Sequence, residues 1–162
     1  MTGATYHQAS GKKDGDQEAL IDLGGFANLL AIEFTMLTST RVEAVMPITD
    51  AIREPKGFVH GGATLTFLET VASAGGQLIA NEHGELSFGV TVDVRHCKPG
   101  VTGVLHATAV LDRVEGSKHF WRVEATDDEG DTISQGTIMT KSVTKERLAE
   151  KDRERQERRS GE

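Results

Sequence analysis

Between residues 61 and 80 the run GGATLTFLETVASAGGQLIA carries a single ionisable side chain, Glu69. Its small and apolar residues fall on every side of a 3.6-residue turn, which predicts one long helix covered nearly all round. Upstream, IEFTMLTSTRVEAVMPI alternates and is rich in β-branched residues, the pattern of two strands joined near Ser39. Before it, DQEALIDLGGFANLLA spaces its apolar residues as a helix does, interrupted at Gly24 and Gly25. Downstream come four strand-like runs, SFGVTVDVRHCKP, GVLHATAVLDRV, HFWRVEATD and DTISQGTIMTKSV. They are separated by Pro99-Gly100, Glu115-Gly116-Ser117 and Asp128-Glu129-Gly130.

Connections that short predict antiparallel neighbours, because a parallel crossover needs about a dozen residues or more. The expected architecture is α+β, a long central helix wrapped by a curved, mostly antiparallel sheet of five or six strands. One such sheet cannot cover a helix on all sides, so a second copy of the chain is expected to supply the rest. The folded domain is expected over residues 16–143, after a disordered polar segment at 1–15. A charged tail, helical or disordered, is expected at 144–162.

A chain of 162 residues is most simply one domain with a real core. Its formal net charge of −7 argues against a nucleic-acid partner. One cysteine, Cys97, excludes an internal disulfide and suits a reducing compartment. The first twenty residues hold no apolar run of the secretory kind. The apolar stretch at 61–80 approaches the length of a membrane span, but its glycines, hydroxyls and Glu69 make it a core helix. A cytoplasmic protein without a membrane partner is therefore expected.

The lone carboxylate is the chemical question, since a buried charge without a partner is costly. The segment GFVHGGA, with Glu69 eight residues beyond Gly61 and Ser73 one turn further, resembles the hotdog-fold thioesterases. The likeness is to the branch acting on 4-hydroxybenzoyl-CoA, 1,4-dihydroxy-2-naphthoyl-CoA and the phenylacetic-acid pathway. That resemblance implies an acyl-CoA thioester hydrolase with no metal and no organic cofactor. Glu69 would attack the carbonyl or activate a water, and the Gly61 N–H would stabilise the oxyanion. Ser73, on the same helical face, would hold Glu69 ionised. His60 would orient substrate or merely cap the helix, and Gly62 would let the ligand approach the backbone. His96 would reach the acyl or pantetheine portion, or lie as a plain surface residue.

Gly61 and Glu69 are about 12 Å apart along one helix, too far to act on one carbonyl. The expected assembly is a homodimer with sites shared between subunits, or a tetramer of such dimers. Phe58, Phe67 and Phe88 are candidates for the acyl pocket, and Arg95, Lys98 and Lys118 for the CoA phosphates. Cys97 is expected on the strand face opposite His96, as a small core residue. Glu54-Pro55 stands where the family commonly has Gln-Pro, so Glu54 turns outward, is protonated, or meets a different substrate. The competing function is a non-catalytic acyl-CoA or acyl-carrier binding protein on the same scaffold.

Overall fold

The structure is a computed structural model that describes residues 24–160. The expected segment at 1–15 and the first half of the expected N-terminal helix lie outside the described residues. What is described of that helix is α1 (Gly24–Leu29), which starts at the two glycines; Gly24 has φ of 69°. Strands β1 (Glu33–Leu37) and β2 (Arg41–Pro47) follow, joined by a turn in which the Thr38 hydroxyl bonds the Arg41 backbone. The long apolar run forms α2 (Gly61–Asn81). Strands β3 (Leu86–His96), β4 (Val104–Glu115), β5 (Lys118–Thr126) and β6 (Thr132–Val143) complete the sheet, and α3 (Lys145–Ser160) ends the described chain.

The six strands form one antiparallel sheet in the order β1-β2-β4-β5-β6-β3. Period-two alternation is why one face is apolar: Val42, Ala44 and Met46 of β2 are buried, as are Leu105, Ala107 and Ala109 of β4 and Trp121, Val123 and Ala125 of β5. Against them pack Phe67, Leu68, Val71 and Ala72 of α2, all fully buried. Burying each large side chain in this layer contributes roughly 1.5–3 kcal/mol. Gly75 lets the helix settle on the sheet, since a Cβ there would lie 2.4 Å from the Trp121 ring. That ring is held by its own N–H, which donates to Thr140 Oγ1 at 3.1 Å.

The sheet is open at β3. Among the described residues this strand pairs only with β6, and Val90 and Val92 on it are 56% and 43% exposed. A long edge strand with exposed β-branched residues is a template for another chain. Val90 is also the extra residue of a bulge, skipped where Gly89 pairs with Thr140 and Thr91 with Met139.

His119 sits buried beside Thr140 with its imidazole held below the ordinary histidine value, chiefly by desolvation and against the pull of Glu85. The unfolded side chain takes a proton near pH 6.5, whereas the folded one does so only at lower pH. The His119 contribution to stability is therefore fully present above about pH 6.5 and is lost as pH falls toward the folded value. Urea unfolding at pH 7.5 and 5.5 should show a smaller loss on acidification for His119→Gln than for the parent. Equal losses would mean that this imidazole is not the titrating group.

Candidate active site

The α2 N-terminus is built by its own sequence. His60 is extended and accepts the Gly62 N–H on Nδ1 at 2.9 Å, while its carbonyl accepts the N–H groups of Ala63 and Thr64. Thr64 makes the first regular bond of the helix, and of the four amides before it those of His60, which donates to the Ile52 carbonyl, Gly62 and Ala63 are satisfied. The fourth, the Gly61 N–H, bonds no acceptor among the described residues. It stands at the positive end of a 21-residue helix, unhindered by a side chain of its own.

A cleft of about 340 Å³ opens on this amide, lined by Gly61, Thr64, His96, Cys97, Lys98 and Pro99 among others. The His96 ring turns its Nε2 edge to the glycine, with Nε2 only 2.8 Å from where a Gly61 Cβ would be. Its Nδ1 shares a 2.8 Å hydrogen bond with Ser134, the residue paired with it across β3 and β6. His60 thus has the capping role, and His96 is drawn into the cleft instead of facing bulk solvent alone.

Glu69 lies two turns further along α2, half-buried, and accepts a hydrogen bond from Ser73 at 2.9 Å. Its carboxylate rests on Gly89 of β3, where an added Cβ would come within 2.3 Å of Oε1. Gly89 and Ser134 are site-building residues that sequence reasoning did not single out. A glycine inside a strand run was the available signal, since it marks a bulge or a close approach. Within one chain the Gly61 cleft and the Glu69 carboxylate remain two separate places, as the helix rise requires.

Other expected site residues are scattered. Cys97 corrects the expectation of a small core residue: it is exposed and lines the cleft beside His96. Strand β3 ends at His96, so alternation no longer governs the next side chain. Phe67 is core, whereas Phe58 and Phe88 are 40% and 45% exposed. Phe88 pairs with Lys141 and faces away from α2, because its neighbour Gly89 faces toward it. Glu54 does not turn out to water: its Oε1 is buried and has no hydrogen-bond partner among the described residues, while its backbone closes a turn with Gly57 and Phe58.

Of the three phosphate candidates, Lys98 lines the cleft but bonds Asp127 at 3.0 Å and Asp131 at 2.5 Å, and both carboxylates raise its pKa. Arg95 points to the opposite sheet face, into a groove shared with Asp93, Arg41 and Arg122. Lys118 lies at the other end of the sheet, paired with Lys141. The carboxylates of Asp127, Glu129 and Asp131 converge in one turn. The Lys98 ammonium bonds two of them. No helix among the described residues is long and apolar enough to cross a membrane.

The sequence profile of the thioesterase superfamily matches residues 56–134, the segment that contains both the Gly61 turn and Glu69. A Deinococcus radiodurans relative is 33% identical over 105 residues, 65% of either chain, so the match spans just under two thirds of that protein. The 1,4-dihydroxy-2-naphthoyl-CoA hydrolase of Listeria monocytogenes is 26% identical over 123 residues, 75% of this chain and 99% of that one. The crystal structure of a Haemophilus influenzae thioesterase superposes with a TM-score of 0.69 at 23% identity, over 74% of this chain and 82% of that one. Residues 56–134, just under half of the chain and the part that bears the candidate site, thus match the thioesterase superfamily, and the chain shares the hotdog fold of the thioesterase structures it resembles.

Proposed function

We propose that this protein hydrolyses acyl-CoA thioesters at two equivalent sites, each shared between two copies of the chain. The observation that carries the reading is the unpaired Gly61 amide at the head of α2, open to a cleft and unshielded by any Cβ. Such an amide is aimed at developing negative charge, and one oxyanion donor contributes about 10²–10³ in rate. Glu69, held by Ser73, supplies the other half of the chemistry. As general base it takes a proton from water while the water oxygen attacks the thioester carbon. The tetrahedral oxyanion accepts from Gly61 N–H, and its collapse breaks the C–S bond and releases CoA, reprotonated, and the free acid. Direct attack by Glu69, with hydrolysis of the resulting anhydride, uses the same two groups. Neither route calls for a metal or an organic cofactor.

The open β3 edge supports the shared site. Two copies joined edge to edge by a two-fold axis pair β3 antiparallel. With Val90 skipped, as it is against β6, a pairing centred on Asp93 sets Gly89 opposite His96 of the second copy. Glu69 rests on Gly89 and Gly61 on His96, so this register carries the carboxylate of one chain to the oxyanion donor of the other. The facing Asp93 side chains then each have Arg95 of the other strand as diagonal neighbour, within reach of a long side chain.

Purified protein should release free CoA from at least one member of a panel of aromatic, hydroxylated and medium-chain acyl-CoAs. Absence of turnover across the panel would count against the enzyme reading and for a binding protein on the same scaffold.

A further inference from the structure

We infer that α3 is a phosphate-binding arm: its basic face holds the diphosphate and 3′-phosphate of a CoA thioester seated in the cleft of the second copy. The inference rests on the shared-site reading above. Every residue of α3 except Leu148 is exposed, so packing does not account for the arrangement of its charges. At 3.6 residues per turn, Arg147, Lys151, Arg155, Arg158 and Arg159 fall within a sector of about 120°. Glu146, Glu150, Glu154 and Glu157 fall in the adjoining sector of about 80°, while Lys145, Asp152 and Arg153 lie outside both. A helix serving only as a solvated extension gains from mixing the signs at i,i+4, not from segregating them.

The rest of the chain offers little else to a polyanion. Arg41, Arg53, Lys98, Arg113 and Arg122 are each held by acidic partners. Outside α3, the Lys and Arg side chains without an ion pair among the described residues are Lys56, Arg95, Lys118 and Lys141. On a protein of net charge −7, a ligand carrying several phosphate charges needs a local positive field. Among the described residues, the one basic side chain of α3 in an ion pair is Arg147, with Glu150.

Position selects the second copy's cleft. Within one chain, Ser134 beside His96 and Val143 at the root of α3 are nine residues apart on β6, about 30 Å. Val143 pairs with Leu86, three residues before Gly89, and the β3 pairing centred on Asp93 sets Gly89 opposite His96 of the second copy, a residue of its cleft wall. The arm therefore springs from the rim of the other chain's cleft, with Lys118 and Lys141 at the same end of the sheet.

The test compares the parent with the triple variant Lys151→Glu, Arg155→Glu, Arg158→Glu, which alters only exposed side chains. Calorimetric titration with free CoA should show affinity weakened about tenfold or more by the reversals. KM for an acyl-CoA should rise in parallel, while KM for the same acyl group on pantetheine, which lacks the nucleotide, should stay unchanged. Equal CoA affinity in parent and variant, with hydrolysis intact, would overturn the arm and leave the thioesterase reading standing. CoA binding by neither protein would overturn both. Loss of affinity for pantetheine and CoA thioesters alike would overturn the arm by showing a general structural effect.

Discussion

Glu69→Gln should lower kcat about a thousandfold while leaving the fold and the affinity for acyl-CoA nearly unchanged. The substitution keeps shape and keeps an oxygen that can accept from the Ser73 hydroxyl, which stands 2.9 Å from the carboxylate. What it removes is the negative charge, and with it the ability to take a proton from water or to attack the carbonyl. Single-turnover release of CoA, measured beside equilibrium binding of the same thioester, separates chemistry from recognition. A variant that turns over at the parent rate would assign the carboxylate a structural role at the helix–strand contact. Unchanged binding with no turnover in either protein would favour the acyl-CoA binder. Gly89 sharpens the experiment from the other side: a methyl there would collide with Glu69 Oε1 and push the charge away from where it now rests.

Gly136→Ala should destabilise the fold by about 3 kcal/mol, equivalent to a loss of roughly 10 °C in melting temperature. Gly136 pairs with Val94 on one side and Val123 on the other, in the middle of β6. A Cβ at this position would lie 2.0 Å from the Asp93 carbonyl oxygen and 2.7 Å from the Val94 Cα. Those are backbone atoms of the adjacent strand, which cannot swing aside as the end of a side chain can. Relief requires β3 to move away from β6, and β3 carries Gly89, His96 and the edge offered to a second copy. Thermal melts with sedimentation of the same samples would show whether stability and association fall together. An unchanged melting temperature would mean that the strands relax at negligible cost.

How much of this was legible beforehand differs from residue to residue. Strands β1, β2, β4, β5 and β6 lie within a residue or two of the runs read from alternation, and β3 stops three residues short of its run, because alternation marks the strands that pack one face on the core. The Gly61 turn and the half-buried Glu69 were legible for a related reason: glycine pairs and a lone acid stand out against an apolar helix. Cys97 was not, because its placement assumed that alternation continued past His96, where the strand stops. Arg95 and Lys98 were read as phosphate ligands from charge alone. One of them points to the other sheet face, and the other is bonded by two aspartates 29 and 33 residues away in sequence. Glu54 offered three fates to sequence reasoning, and burial of its unpaired oxygen removed the outward one.

Local periodicity, turn chemistry and composition were enough to define the elements, their antiparallel sense and the candidate residues of α2, because each depends on residues a few positions apart; the short Pro99-Gly100 connection nevertheless misled, since β3 pairs with β6 and not with β4. Tertiary packing alone decided which strand was left at the edge, that Gly89 became the seat of the carboxylate, and that the Gly61 amide stayed unpaired above a cleft. Those outcomes depend on contacts between segments twenty or more residues apart, whose spacing is set by how the whole sheet curves round the helix and not by any neighbouring side chain.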